Sequence, residues 1–250
     1  AFFPITIEPL ETGIVNIAFN NSALGSVVDE MVVGSDDLPA GLSVGLSATG
    51  VDGNVLSGNL SGTYAAATYR ISGDLTIADG DTTHLQAGTT FLFDGEYNFN
   101  IYGTLKAIGT ETDSIVFDNY GDDRWSGFTL DNASDETTFE YVRLSGAEKV
   151  EGGGMYVLSS NPTLTNSIVW NNSPESIYIA YSSAPVITYS DVEGGWEGAG
   201  NIDADPLFTD PENGDYSLQD GSPCIDIGNP NLWYQDVDGT PSDMGATGGL

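Results

Sequence analysis

The chain has 250 residues and carries 37 Asp and Glu against 5 Lys and Arg, a formal net charge of −32. Such a field repels phosphate backbones and anionic head groups, which argues against nucleic-acid and membrane-surface binding. One cysteine excludes an intrachain disulfide, and no apolar run is long enough to insert into a membrane. The acidity favours Ca²⁺ as a partner, although it also serves solubility alone. With 32 Gly and 11 Pro, and no sustained helical periodicity, the sequence predicts an all-β protein with short strands.

Residues 1–68 precede any repeat and show weak alternation of apolar residues. Two segments within them, residues 38–43 and 58–64, resemble parts of the Ig-like or cadherin-like modules of large surface proteins. That resemblance implies a small β module. The alternative is an N-terminal cap, because the first coil of a solenoid exposes an edge that needs cover. Residues 2–7 are apolar enough to pair with a neighbouring chain as an added strand.

A repeat of about 24 residues runs through residues 69–195. One apolar position recurs at Phe91, Ile115, Phe139, Leu164 and Ile187. Two positions further on, the same spacing links Phe93, Phe117, Tyr141, Asn166 and Tyr189, and in the last copies Leu144, Val169 and Val192 also align. Further short strands are expected between these positions, at residues 98–102, 127–130, 155–158 and 177–179.

This period indicates a solenoid, because one coil cannot bury its apolar face alone while stacked coils can. We therefore predict about five coils of parallel β-helix, with the aligned residues stacked as inward ladders. A sugar-binding aromatic platform is the alternative interpretation of the second column.

Residues 161–172 and 184–195 resemble the repeat of right-handed parallel β-helix proteins of bacterial cell surfaces. The tail is similar to the ending of such proteins at residues 203–208, 214–218, 221–228, 236–239 and 243–246. The resemblance covers about residues 69–250 and implies a right-handed parallel β-helix in an extracellular or cell-surface location. It implies little about activity, since the fold carries adhesins, pectin-degrading enzymes and spacers.

Candidate ligand-binding residues are few. Arg143 is the best candidate for the base of a lyase, and its alignment with Ile168 and Asp191 predicts an outward-facing side chain. The alternative is a surface ion pair between coils, of small energetic value. Trp170 and Trp196 stand beside acidic or Asn residues and are candidates for stacking on sugars. Each could equally cover a coil edge or a cap.

Residues 196–250 contain no Lys or Arg and are expected to fold over the last coil as a loop-rich C-terminal cap. Asp at alternate positions near Gly lets a tight loop direct several oxygens at one Ca²⁺ ion. The alternative is that these residues cap turns by bonding their own backbone. The candidate ligands are Asp210, Asn213, Asp215, Asp236, Asp238 and Asp243.

The sequence favours a non-catalytic surface module that serves adhesion, spacing or assembly into filaments. The alternative is a carbohydrate-active β-helix that binds or cleaves a polysaccharide. The expected partners are a polysaccharide or another cell-surface molecule, and further copies of the chain joined through the N-terminal strand or the coil ends.

Overall fold

The computed structural model describes residues 25–35, 38–50, 54–211, 214–234 and 239–245, the first two ranges in their backbone alone. The chain divides into two compact units, residues 1–53 and 54–250. In the first unit, strands β1 (Gly25–Ser35) and β2 (Leu38–Gly50) form an antiparallel pair. The stretch 2–7 lies outside the described residues, and the Ig-like resemblance of this region stays a prediction.

The second unit is a parallel β-solenoid of about five turns, which confirms the predicted fold class. Its first strands are β3 (Val55–Asn59), β4 (Gly62–Tyr64), β5 (Thr68–Ile77) and β6 (Thr82–Leu85). Since β3 pairs with β5, and β4 with β6, parallel pairing already begins before residue 69.

The strands stack into three faces. Face A consists of the first half of β5 followed by β7 (Thr90–Phe93), β10 (Ile115–Asn119), β13 (Val142–Leu144), β16 (Ile168–Val169) and β19 (Asp191–Val192). Face B consists of the second half of β5 followed by β8 (Phe99–Ile101), β11 (Phe128–Asp131), β14 (Met155–Leu158) and β17 (Ile177–Ala180). Face C consists of β4, β6, β9 (Thr104–Ile108), β12 (Thr138–Glu140), β15 (Thr163–Thr165) and β18 (Val186–Thr188).

Inward ladders fill the space between the faces. On face A the aligned, buried residues are Tyr69, Phe91, Phe117, Leu144, Val169 and Val192. Neighbouring rings meet edge to face, with 5.7 Å between the centres of Phe91 and Phe117. Fully burying such a side chain contributes about 1.5–3 kcal/mol, so the ladders account for much of the stability of the solenoid.

Part of the predicted register is wrong. The alignments of Phe139 with Leu164 and Ile187, and of Leu144 with Val169 and Val192, are confirmed. Ile115, however, pairs with Val142 on face A, whereas Phe139 lies on face C. The corner from face C to face A explains the error, because it spans residues 109–114 before Ile115 but only one or two residues in later turns.

In each of these short corners the first residue, Tyr141, Asn166 or Tyr189, has φ near +50°. They were predicted to continue an inward ladder with Phe93 and Phe117. Asn adopts this left-handed conformation readily, whereas a tyrosine does so less often. Because their spacing in the sequence is equal, the prediction wrongly aligned these corner residues with the core residues Phe93 and Phe117.

The sequence predicted that the C-terminal residues cover the last coil. The tail does this and also extends further. Residues near 199–202 do lie on that coil, where Ile202 bridges Asp191 in parallel. The chain then turns back across the outer surface of face A. There it forms the hairpin of β20 (Phe208–Asp210) and β21 (Asp215–Leu218). A short 3₁₀ helix, Leu232–Tyr234, follows later in the chain, and its Tyr234 ring contacts the corner residue Tyr141. We refer to the described residues between 205 and 245 as the docked tail. Among the described residues, no helix is both long and apolar enough to span a bilayer.

Candidate functional site

Arg143 lies under the docked tail at the centre of face A. The predicted register with Ile168 and Asp191 is confirmed. Its Nη1 donates to Asp118 Oδ2 at 2.8 Å and to Ser145 Oγ at 2.6 Å. The guanidinium carbon lies 3.4 Å from the centre of the Tyr216 ring, which β21 contributes.

The ion pair of Arg143 with Asp118 is buried, not a surface contact as the sequence alternative proposed. Arg143 is 5% exposed and Asp118 is 6% exposed. The reason is the docked tail, whose Tyr216 ring closes over an outward face that would otherwise meet water. Burial is also the main factor that raises the pKa of the Tyr216 hydroxyl. Two hydrogen bonds and an aromatic ring thus hold this guanidinium in place.

A groove borders this cluster, between the outer surface of face A and the hairpin β20–β21. It encloses about 870 Å³ and we call it the face A groove. Leu92 and Val116 form its apolar floor, and its polar lining includes Asp118, Asp122 and Asp215. Carboxylates therefore reach the groove, together with the buried arginine.

A second concavity, which we call the tail cleft, lies on the other side of Tyr216 and encloses about 570 Å³. Three aromatic side chains line it, those of Trp170, Phe208 and Tyr216. Asn171, Asp205 and Gln219 add polar groups. This is the place in the described structure where a tryptophan predicted to bind sugar meets other aromatic residues in a concave surface.

An apolar cluster attaches the docked tail to face A. Ile168 points outward from β16 and is buried by Leu218, Cys224 and Met244. Gly245, at φ +60°, approaches so closely that a Cβ atom there would lie 2.6 Å from the backbone nitrogen of Ile168. The lone cysteine is thus a small buried residue of this cluster.

Cys224 also contacts a buried carboxyl group. Its Sγ donates to Asp191 Oδ2 at 3.3 Å, while the backbone N of Ala204 donates to Asp191 Oδ1 at 3.2 Å. Burial is the main factor that raises the pKa of Asp191 to about 6; the hydrogen bonds from Ala204 and Cys224 partly offset the rise, and nearby Asp203 and Asp205 add to it. Burial raises the pKa of the thiol as well. The Asp191 carboxyl group, which lies at the junction of the solenoid and the tail, therefore has a pKa of about 6.

The predicted ligand residues do not form one site. Trp170 lines the tail cleft and Arg143 lines the face A groove. Trp196 packs partly buried against the solenoid core, which favours the interpretation that it covers a coil end. These three side chains lie apart, on β13, directly after β16 and after β19.

The predicted calcium ligands are described only in part. Asn213, Asp236 and Asp238 lie outside the described residues. Asp210 and Asp215 are register partners in the hairpin β20–β21, and Asp215 Oδ1 accepts both the backbone N and the hydroxyl of Ser217. Asp243 is buried and accepts the backbone N of Asp226. Within the described ranges, no three His, Cys, Asp or Glu residues are grouped to hold a metal ion. Calcium binding stays a prediction.

Sequence reasoning missed Asp118 and Tyr216, which complete the Arg143 cluster. Asp118 follows Phe117 in a face A strand, so the alternation of β10 places it outward. That signal was present, but the incorrect register in this turn concealed it. Tyr216 has no counterpart in the repeat, and its position follows only from the path of the tail.

No protein-family model, curated protein or solved structure matches the chain. The function is therefore inferred from the sequence and from the geometry of the docked tail.

Proposed function

We propose that the chain is a non-catalytic module of an extracellular or cell-surface protein, in which the solenoid acts as a rigid spacer that carries an adhesive surface. One observation carries the proposal. Arg143, the best candidate for a catalytic base, is bound to Asp118 and Ser145 and covered by Tyr216. An arginine with these partners stabilises a docked tail, whereas a lyase base must reach the proton that it removes.

The extracellular location rests on composition and on the resemblance of the repeat to bacterial surface proteins. The net charge of −32 keeps such a module soluble and opposes binding to nucleic acid.

Assembly through coil ends is supported by the end of face B. Strand β17 is the last strand of its sheet, and among the described residues no strand is paired to its far edge. Tyr181 and Val186, close to this end, are 85% and 55% exposed. Open edges of this kind accept an added strand from another chain, and head-to-tail addition produces filaments. Light scattering at high salt tests this, since a strictly monomeric mass at every concentration contradicts it.

A carbohydrate-active enzyme is the second candidate function. The observation in its favour is the face A groove, where Asp118, Asp122 and Asp215 stand along one open channel. A pair of carboxylates is the usual apparatus of a glycoside hydrolase. However, Asp118 is already occupied by Arg143.

The deciding experiment is an activity assay on neutral and acidic polysaccharides that detects both new reducing ends and unsaturated products. The non-catalytic proposal expects no product above a heat-denatured control. Product that disappears in the Asp122→Asn and Asp215→Asn variants would overturn the proposal and establish the second candidate.

A further inference from the structure

The tail cleft combines a preformed aromatic surface with polar groups. Trp170 directly follows β16, and its backbone N donates to Leu144 O at 3.1 Å, which continues the parallel pairing of face A. Its ring packs partly buried against the cluster around Ile168. The solenoid therefore fixes the backbone of Trp170, and the cluster shared with the docked tail supports its ring, while the opposite wall of the cleft comes from the docked tail.

Phe208 and Tyr216 form that opposite wall. Their rings meet edge to face, with centres 5.2 Å apart and planes at 81°. Tyr216 is held from behind by the guanidinium of Arg143. Aromatic side chains fixed in this way present apolar surface without losing conformational entropy on binding, which favours recognition by a small ligand.

Three polar side chains line the same cleft. Gln219 donates through Nε2 to Phe208 O at 2.8 Å. Asp205 accepts the backbone N of Leu207 through Oδ1 at 3.0 Å, and Asn171 accepts Arg124 through its Oδ1 at 2.7 Å. One hydrogen bond thus orients each of these three side chains. Among the described residues, Gln219 Oε1, Asp205 Oδ2 and Asn171 Nδ2 make no further hydrogen bond, which provides two acceptors and one donor.

This combination fits a sugar. A pyranose ring has an apolar face of C–H groups that packs on aromatic rings, and hydroxyl groups that both donate and accept hydrogen bonds. The cleft volume of about 570 Å³ lies within the range of small-ligand sites. The net charge of −32 and the carboxylate of Asp205 disfavour an anionic sugar.

We propose that the tail cleft binds a neutral oligosaccharide, with a pyranose ring against Trp170 and hydroxyls bound by Asp205, Asn171 and Gln219. This inference deepens the proposed adhesive function and rests on it, since it specifies what the module would adhere to.

The test is a binding screen of the whole chain against an array of neutral oligosaccharides, followed by calorimetric titration of any hit. The probes are gluco-, galacto-, manno- and N-acetylglucosamine tetrasaccharides, and oligogalacturonate serves as the anionic comparison. We expect binding to at least one neutral series with a Kd below about 1 mM, and weaker binding of oligogalacturonate.

Variants connect a hit to the cleft. Trp170→Ala is expected to weaken binding at least about tenfold, the value of one aromatic contact. Because Trp170 also supports the tail, Gln219→Ala and Asp205→Asn provide an independent reading, each with an expected loss of about threefold or more. Trp233→Ala is the matched control, since Trp233 is 91% exposed and does not line the cleft.

The outcomes separate the two proposals. Absence of binding to every neutral probe, stronger binding of oligogalacturonate, or full affinity in both Gln219→Ala and Asp205→Asn would overturn the sugar site. None of these results would alter the spacer function, which fails only if products appear in the activity assay. If the cleft variants lose sugar binding and the activity assay detects no product, both the sugar site and the non-catalytic spacer function are supported.

Discussion

Faces A and B of the solenoid share one backbone pattern but differ on their outer surfaces. On face B the outward column is Thr76, Asn100, Thr129, Tyr156 and Tyr178. Its two tyrosines stack at 5.5 Å and remain partly exposed. On face A the equivalent column includes Val116, Arg143, Ile168 and Asp191, and its last three members are buried. Polar and aromatic side chains can remain at the surface, whereas an outward Ile168 favours a cover. The outward residues, not the strands, thus determine where the tail docks.

The largest expected effect comes from the ion pair on face A. Arg143→Met leaves the Asp118 carboxylate buried without its cation, and we expect a loss of about 3–5 kcal/mol in the free energy of unfolding. Urea unfolding followed by circular dichroism measures it. Adding Asp118→Leu to Arg143→Met should recover most of that loss, because the unpaired charge is then gone.

The control for this prediction is Lys106→Met. Lys106 pairs with Glu136 at 3.9 Å, and the Glu136 side chain is largely exposed. Surface pairs of this kind contribute about 1 kcal/mol or less. Similar losses in the two variants would mean that the docked tail does not exclude water from Arg143.

Matched truncations on the two faces test the comparison directly. Ile168→Ala removes the apolar contact of face A with Leu218 and Met244, and we expect it to cost about 2–4 kcal/mol. Tyr178→Ala removes a partly exposed side chain of face B and should cost about 1 kcal/mol or less. Chemical denaturation of both variants measures the difference, and equal costs would contradict the assignment of the tail to face A.

The buried carboxyl of Asp191 predicts a pH dependence of tail docking. Its pKa is raised to about 6 in the folded chain, so the folded state binds this proton more tightly than the unfolded state does. The resulting stabilisation is complete below the unfolded pKa of about 4 and is lost as the pH rises through about 6. We expect a change on the order of 2 kcal/mol across this window, after allowance for relaxation around the group.

The Asp191→Asn variant isolates this effect from the general repulsion among carboxylates. Its stability should fall less between pH 4 and pH 7, roughly the window set by the two pKa values. The measurement is thermal unfolding in a series of buffers at constant ionic strength. Parallel pH profiles for the variant and the natural chain would contradict the prediction.

The smallest expected effect concerns Ca²⁺ in the tail. If the segment that contains Asp210, Asn213 and Asp215 or the segment around Asp236 binds calcium, the ion stabilises the folded chain by mass action. At a free concentration about ten times the Kd, the gain is about 1.4 kcal/mol. Thermal unfolding with and without a chelator measures it, with magnesium as the control ion. An unchanged Tm, together with no calcium in elemental analysis, would leave turn capping as the role of these residues.

Much of the solenoid could be predicted from the sequence because stacking repeats the same chemistry each turn. Leu164 and Ile187, or Val169 and Val192, occupy equivalent sites and so share both type and spacing. The prediction was wrong where the corner length changes, as between Ala107 and Ile115, because loop residues do not reveal to which turn they belong. The length of the sequence repeat alone does not show whether additional residues belong to a corner or to a strand.

The candidate site was harder to predict, for a different physical reason. Its residues come from two parts of the chain, only one of which has a sequence repeat. Arg143 and Trp170 belong to the repeat. Phe208 and Tyr216 belong to the tail, which has none. The outward orientation of Arg143 followed from strand alternation. Its burial did not, because the path of a non-repeating segment across a surface has no local signal in the sequence.

The contacts of the docked tail have a consequence for how the solenoid unfolds. In a stacked array each turn touches only its neighbours, so end turns can fray one at a time. Here the tail contacts Asp118, Arg143, Ile168 and Asp191, which lie on four successive strands of face A. Peeling away the last turn therefore requires release of contacts three turns deeper. The tail converts a series of loosely coupled steps into one cooperative transition, and the C-terminal half of the solenoid should unfold as a unit.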